Sequence, residues 1–196
     1  MSFIDRLVAK VTPLKSDETR LRARENARTQ ALPDGVVQLI IDDHNRIERA
    51  FEAVRSASNA ENQRLAEREL ATLLNGHAVA EEAVFYPELV DNSQHGAAFM
   101  GYEEQAATKV QLALLSKLEP LTQDYADKLE HIRGAVTHHM YQEENSWLVT
   151  LERDLLTDDQ ARVRARYEEE MSRYATPASE SERDADARSI MSWGGQ

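Results

Sequence analysis

Two matching segments constrain this chain more than any other feature. Each contains a histidine followed four residues later by a glutamate, His77 with Glu81 and His139 with Glu143. On an α-helix, positions i and i+4 lie on one face, one turn apart. Both pairs interrupt stripes of apolar residues at helical spacing, which predicts that the four side chains point into a core. A buried carboxylate without a partner costs several kcal/mol, so these glutamates need a cation, a donor or a proton.

The two segments belong to an internal duplication. Corresponding positions are 61 or 62 residues apart, as seen in the pairs His44 and Gln105, His77 and His139, and Glu81 and Glu143. Self-similarity at a long period marks a repeated structural unit, here a helical hairpin. Two hairpins stacked antiparallel form a four-helix bundle, and such bundles build metal sites from inward-facing ligands on several helices.

The composition favours an all-α protein. Glycine and proline are scarce, with 7 and 5 residues, and the apolar residues lack the alternation of β-strands. A chain of 196 residues suits one domain with additional segments, or at most two small domains. We expect an N-terminal helical arm over residues 1–33, the four-helix bundle over 34–156, an additional helix over 157–175 and a disordered tail over 176–196.

Helical periodicity predicts four core helices, over about residues 34–57, 59–86, 97–118 and 122–155. Pro87 is expected to end the second helix. Gly76 is a poor helix former and is expected to permit the close approach of a neighbouring helix. The third helix is expected to bury a seam made of Val110, Leu114 and Leu118. The almost wholly polar segment 16–30 predicts a solvated helix or a flexible arm.

Charge and cysteine content exclude several classes of function. The net charge of -12 argues against nucleic acid, since phosphate contacts need a basic surface, and it disfavours an anionic membrane. The absence of cysteine excludes disulfides, thiolate metal sites and a cysteine nucleophile. No apolar run reaches membrane-spanning length, and the N-terminus lacks a signal-peptide pattern. We therefore expect a cytoplasmic protein without nucleic-acid or membrane partners.

The duplication predicts an inward-facing set of six side chains: His44, His77, Glu81, Gln105, His139 and Glu143. Imidazoles and carboxylates without thiolate suit iron or manganese and also tolerate zinc. Two facing glutamates would otherwise repel, and one would take up a proton. A cation between them removes that conflict, so we predict a metal site. The alternative is a set of hydrogen-bonded core residues, which for His44 alone would be the simpler interpretation.

Two further groups of residues are expected to stay outside the site. His138 and His131 point away from the face of His139 and are predicted to lie on the surface. Tyr86, Tyr102 and Tyr141 could hydrogen-bond near the ligands, but a packing role is expected for each.

The order of the ligands discriminates among bundles. Ferritin-like di-iron proteins use Glu-x-x-His, whereas here the histidine precedes the glutamate by four residues. With DHNRIERAF, HAVAEEAVFYP, EEQAATK and HHMYQEE, the chain resembles the bacterial hemerythrin-like family, also called the HHE cation-binding domain, over about residues 34–156. The resemblance implies an up-down four-helix bundle that holds a non-haem di-iron centre bridged by carboxylates and an oxygen species. It implies ligation by His44 of the first helix, His77 and Glu81 of the second, and His139 and Glu143 of the fourth.

One position departs from the family pattern. The third helix of the family usually carries Glu-His, whereas this chain has Glu104-Gln105. An amide is a much weaker iron ligand than an imidazole. Either Gln105 binds through its oxygen, or water fills the place, or Glu104, Glu103 or Tyr102 turns inward. Such a site favours redox chemistry with oxygen or peroxide, sensing or iron handling over reversible oxygen carriage.

The sequence therefore predicts a non-haem di-iron protein that acts in oxygen, redox or iron sensing or in a stress response. Dioxygen or another small oxidant is the expected ligand. Two alternatives stay open, namely a di-iron peroxidase or catalase-like enzyme and an interaction module that reports metal state to a protein partner. The sequence identifies no such partner.

Overall fold

The computed structural model describes residues 15–155 and 157–175, and these residues form helices joined by short turns. The helices are α1 Asp17–Gln30, α2 Val36–Ser56, α3 Ala60–Ala80, α4 Tyr86–Asp91, α5 His95–Leu115, α6 Gln123–Gln142, α7 Leu148–Asp154 and α8 Thr157–Ala175. Two π-helical turns, Glu81–Phe85 and Glu143–Trp147, join α3 to α4 and α6 to α7. No strand occurs within these ranges, and the all-α prediction is confirmed. Residues 1–14 of the expected N-terminal arm and the expected tail over 176–196 lie outside the described residues.

The bundle consists of two helical hairpins, as the duplication predicts. Helix α2 packs along α3, and α5 packs along α6, while α2 also contacts α6 and α3 contacts α5. Side-chain caps begin the second helix of each hairpin. The Asn59 side chain accepts from the Asn62 N–H at 2.8 Å, and the Thr122 hydroxyl accepts from the Tyr125 N–H at 3.3 Å. These caps satisfy backbone donors that the helix itself leaves unpaired.

A layer of polar side chains divides the apolar interior in two. On α2, Ile41 belongs to one apolar cluster and Ile47 to the other, and His44 lies between them. The same change from one cluster to the other occurs on α3, where Leu74 and Ala80 flank His77. The polar layer therefore has apolar packing both above and below it, which holds its side chains away from solvent.

Two helices pack on the outside of the bundle. Helix α1 contacts α2, α7 and the second π-helical turn, and α8 contacts α2, α3 and the first π-helical turn. Residues 17–30 form helix α1, the first of the two predicted alternatives, and most of them are exposed. One face of the helix is not solvated, however, because Arg24 is 8% exposed and Ala27 1% exposed against the bundle. The prediction for Gly76 is confirmed, since a Cβ atom there would lie 3.0 Å from Tyr174 Cβ on α8.

The second core helix does not end at Pro87. A π-helical turn precedes the proline, and the chain continues as α4 to Asp91. Pro87 lies in the first turn of α4, where the lack of an N–H group is tolerated.

The buried face of α5 also differs from the prediction. Val110 and Leu114 are 44% and 42% exposed, whereas Leu112 and Leu115 are buried. Gln105 points into the bundle, and residues seven and ten positions later lie on roughly the same face of a helix. The orientation of Gln105 therefore brings Leu112 and Leu115 inward and turns Val110 outward. None of the described helices combines the length and the apolar character needed to cross a bilayer.

Gly101 and Gly96 on α5 provide a matched test of how closely Tyr86 packs. A Cβ atom at Gly101 would lie 2.5 Å from Tyr86 Cζ, whereas nothing lies within 4 Å of one at Gly96. Gly101→Ala is expected to destabilise the metal-free protein by about 1–3 kcal/mol through overpacking. Gly96→Ala is expected to be neutral or stabilising by up to about 1 kcal/mol. Chemical denaturation measures both, and equal stability of the two variants would contradict the packing.

Candidate metal centre

The structure brings all six predicted side chains to one buried place in the polar layer. None is more than 5% exposed; the set is His44, His77, Glu81, Gln105, His139 and Glu143. Helices α2, α3, α5 and α6 contribute one side chain each, and the two glutamates begin the two π-helical turns. The duplicated sequence therefore converges on a single centre rather than on two separate sites.

The π-helical turns explain how Tyr86 enters this centre. The Tyr86 N–H donates to the Glu81 carbonyl five residues earlier, and the Leu148 N–H donates to the Glu143 carbonyl in the same way. In an α-helix, a residue five positions on points about 140° away. The wider turn instead brings Tyr86 round to the face of Glu81, and such turns are frequent at functional sites. The prediction of a mere packing role for Tyr86 is wrong.

One group of ligand atoms surrounds a point between α2, α3 and the two π-helical turns. One atom each from His44, His77, Glu81 and Glu143 lies within 4.8 Å of all the others. His77 Nε2 is 3.2 Å from Glu81 Oε1, and His44 Nε2 is 3.2 Å from Glu143 Oε2. We call this group the first position.

The other oxygens of the two carboxylates face a second group, which we call the second position. Glu81 Oε2 accepts from Gln105 Nε2 at 2.7 Å and from the Tyr86 hydroxyl at 3.3 Å. His139 Nε2 lies 3.2 Å from the Tyr86 hydroxyl oxygen and 3.4 Å from Glu143 Oε1. Each glutamate therefore turns one oxygen towards each position.

The two positions differ in how far their polar atoms are satisfied. At the first position, His44 Nε2, His77 Nε2, Glu81 Oε1 and Glu143 Oε2 are buried without a hydrogen-bond partner among the described residues, whereas of the atoms named at the second position only Glu143 Oε1 lacks one. The close approach of His44 Nε2 to Glu143 lacks the alignment of a hydrogen bond. Buried polar atoms of this kind are rare and costly. A cation would satisfy them, so the residues of the first position fit a metal ion.

The electrostatics of the centre also favour a cation. Burial lowers the pKa of His77 to about 3, so that its ring is neutral and offers a lone pair. At His44, burial is outweighed by the carboxylates of Glu143 and Glu144, which raise its pKa to about 9. Burial and the charge of Glu81 raise the pKa of Glu143. At Glu81, burial is outweighed by the neighbouring histidines, which lower its pKa to about 2. Without a metal, the protonated ring of His44 compensates part of the carboxylate charge, and a bound cation would take over this role while releasing protons.

The outer nitrogen Nδ1 of each histidine has its own partner at 2.7–2.9 Å: Glu144 for His44, Tyr167 for His77 and Glu104 for His139. Such bonds fix the orientation of an imidazole ligand and its tautomer. All three histidines consequently direct Nε2 to the centre.

Four residues were candidates to replace the histidine that the family usually carries on its third helix, and of these only Gln105 points inward. Glu104 bonds to the outer nitrogen of His139, the Tyr102 hydroxyl donates to the Glu82 backbone carbonyl, and Glu103 is exposed. His138 is half-buried beside the centre and makes no contact with its ligand atoms among the described hydrogen bonds and ion pairs.

Sequence reasoning missed Glu144, Tyr167 and Arg24. Glu144 directly follows a predicted ligand, and that adjacency was the signal available for it. Arg24 donates to Glu144 at 2.7 Å from a helix distant in sequence. Nothing in the helical pattern around Arg24 or Tyr167 indicates these contacts.

Comparisons with known proteins agree with the geometry. The family model for the hemerythrin HHE cation binding domain matches residues 35–151. A curated DNA nickase of Nostoc sp. (strain PCC 7120 / SAG 25.82 / UTEX 2576) is 23% identical over 116 residues, which cover 59% of this chain and 33% of that protein. The chain thus spans about a third of the length of this relative. No solved structure matches the chain.

A cation is expected to stabilise the folded protein, because the unfolded chain lacks the assembled centre. At about 100 times its dissociation constant, an ion adds about 2.7 kcal/mol. Thermal unfolding of metal-free protein with Fe²⁺, Mn²⁺ or Zn²⁺ measures the shift. His77→Ala is expected to lose most of it, while His95→Ala, at an exposed histidine, retains it. A wild-type midpoint unchanged by all three ions would refute the site.

Proposed function

Since the chain belongs to the hemerythrin HHE cation-binding domain family, we propose that it is a non-haem iron protein with two unequal metal positions. Its role is to respond to oxygen, redox state or iron in the cytoplasm. The observation that carries the proposal is the pair of buried carboxylates, Glu81 and Glu143, which each turn one oxygen towards each position.

The donor set supports iron. Three imidazoles and two carboxylates, without thiolate, suit iron or manganese and tolerate zinc. Glu81 and Glu143 lie where they would bridge two ions and neutralise part of their charge. Iron bound there supplies redox chemistry with dioxygen or another small oxidant. The chain itself contributes fixed ligands and a water-poor surrounding, because none of the six ligand candidates is more than 5% exposed.

The second position supports a response to an oxidant. Gln105 takes the place of an imidazole there, and its amide nitrogen is already hydrogen-bonded to Glu81 Oε2. Burial raises the pKa of Tyr86 well above its usual value, so its hydroxyl keeps its proton and faces this position as a donor. We propose that the first position binds its ion tightly, and that the second binds more weakly and leaves room for a small ligand.

A peroxidase or catalase-like activity is the second candidate function. The protonated Tyr86 hydroxyl, 3.3 Å from Glu81 Oε2 and 3.2 Å from His139 Nε2, favours it because a donor beside an open ligand place assists peroxide chemistry. Both candidates use the same residues and differ in whether the oxidant is turned over.

Iron content tests the proposal directly. Aerobically purified protein is expected to hold iron, up to about two ions per chain, with the second lost first to a chelator. Gln105→His is expected to retain the second ion, because an imidazole replaces an amide. Metal quantification with an optical spectrum measures both, and peroxide turnover of the same samples separates the two candidates.

Gln111→His is the matched control, since Gln111 is a buried glutamine of the same helix that accepts from Lys128. It should leave iron content unchanged. Wild type that contains no iron after aerobic purification, and takes up none when reconstituted anaerobically, would refute the proposal.

DNA is the substrate that the name of the curated relative suggests, and we propose that this chain does not act on it. The net charge is -12, and exposed arginines such as Arg22, Arg55 and Arg173 are paired with glutamates on their own helices. An acidic chain whose exposed arginines are neutralised in this way is disfavoured for phosphate binding, which needs a basic surface.

Supercoiled plasmid incubated with iron-, manganese- or zinc-loaded protein is therefore expected to stay supercoiled. Gel electrophoresis detects the nicked form, and a protein-free sample with the same ions controls for metal-driven cleavage. Nicking that depends on the protein and disappears in His77→Ala would show that the expectation is wrong.

A further inference from the structure

The contacts made by the Nδ1 atoms of the histidines involve residues outside the four-helix bundle. His139 is held by Glu104 of the neighbouring bundle helix. His77 and His44, however, depend on side chains of the two external helices. Loss of an outer partner typically weakens metal binding by about 10–100-fold, so these contacts bear directly on the affinity of the centre.

Tyr167 of α8 reaches the centre from outside. Its side chain is fully buried, and its hydroxyl oxygen lies 2.9 Å from His77 Nδ1 and donates to Asp43 Oδ2 at 3.3 Å. Arg46 holds the other oxygen of Asp43 at 2.7 Å. Because the phenol gives its single proton to Asp43, its oxygen accepts from His77 Nδ1–H. That arrangement leaves the lone pair of His77 Nε2 for a cation.

Arg24 of α1 supports His44 through one intermediate. Its Nε donates to Glu144 Oε1 at 2.7 Å, and the same oxygen lies 2.8 Å from His44 Nδ1. Its other N–H groups donate to Asn45 and Glu48 at 2.8–3.1 Å. Glu144 is fully buried, so without Arg24 its carboxylate would lose a charged partner and would orient the His44 ring less firmly.

We propose that Tyr167 and Arg24 are positioning residues of the metal centre, and that α8 and α1 therefore belong to it. Both helices lie outside the residues 35–151 that the family model matches. The inference rests on the proposed function, because it concerns how His44 and His77 hold the same ion. Neither residue touches the ion, and each acts through the ring that it orients.

Metal binding and docking of the external helices are linked as a consequence. A cation on Nε2 of His77 holds the ring in the orientation that the Tyr167 hydroxyl requires, and docking of α8 holds the ring for the cation. Such coupling is reciprocal by thermodynamic necessity. The local stability of α8 and α1 therefore rises when the centre is loaded.

Tyr167→Phe tests the α8 contact, because it removes the hydroxyl and keeps the ring. Tyr125→Phe is the matched control, since Tyr125 is a buried tyrosine whose hydroxyl donates to Glu67 at 3.0 Å. It belongs to the apolar cluster that contains Ile47, on the other side of the polar layer from Tyr167. Zn²⁺ affinity of the full chain is measured by competition with a chromogenic chelator. Tyr167→Phe is expected to bind about 10–100-fold more weakly, and Tyr125→Phe like wild type.

Arg24→Met tests the α1 contact, with Arg20→Met as its control. Arg20 lies on the same helix and pairs with Asp17 and Glu48, and no described contact joins it to Glu144. Arg24→Met is expected to weaken Zn²⁺ binding by about tenfold or more, whereas Arg20→Met leaves it unchanged. Arg24→Lys keeps the charge and is expected to recover part of the loss.

Hydrogen exchange gives a readout that packing alone would not change. Zn²⁺ is expected to slow exchange of the amides of α8 in wild type and Tyr125→Phe, and to slow it less in Tyr167→Phe. If Tyr167→Phe or Arg24→Met fails to fold, as judged by circular dichroism, the variant on the other external helix tests the inference. Equal Zn²⁺ affinity for all folded variants would overturn this inference alone. A wild-type chain that binds neither Zn²⁺ nor Fe²⁺ would overturn the proposed function instead.

Discussion

The structure depends on two buried carboxylates that face one another. Glu81 and Glu143 are fully buried, and burial of a charge is costly unless a partner compensates it. The side chains around these two glutamates compensate their charge and keep water away from them. Histidines lie 3.2–3.4 Å from their oxygens, and apolar packing above and below excludes water. A cation between the glutamates would complete this arrangement and would account for so polar a layer inside a helical bundle.

Duplication supplies a symmetric frame, whereas the chemistry of the centre is asymmetric. Both hairpins place a His-x-x-x-Glu pair at the start of a π-helical turn. The first position nevertheless has two histidines with unpaired inner nitrogens, while at the second position Gln105 and Tyr86 donate hydrogen bonds to Glu81 Oε2. Tyr86 corresponds to Leu148 in the repeat, so the two halves differ in side chains rather than in backbone. We attribute the proposed response to an oxidant to this difference.

The docking of the external helices α1 and α8 is connected to the metal centre by hydrogen bonds. Arg24 and Tyr167 are buried against the bundle. Arg24 bonds to Glu144, which in turn contacts the ring of His44, and Tyr167 contacts the ring of His77 directly. Buried networks of this kind couple their members, so that the loss of one hydrogen bond affects the others. The segments outside the family domain therefore form part of the same polar network, and their docking is not independent of the ligands.

The sequence by itself determined the helices, the two hairpins and the six residues that meet at the centre. These features follow from local rules, since a spacing of four residues fixes which side chains share a helical face and a repeat of 62 residues between His77 and His139 places the faces together. Only the tertiary structure decided the entry of Tyr86, the rotation of α5 and the roles of Arg24 and Tyr167. A π-helical turn breaks the periodicity on which sequence reasoning rests, and contacts between residues more than 100 positions apart, such as Arg24 and Glu144, depend on how helices pack rather than on any local pattern.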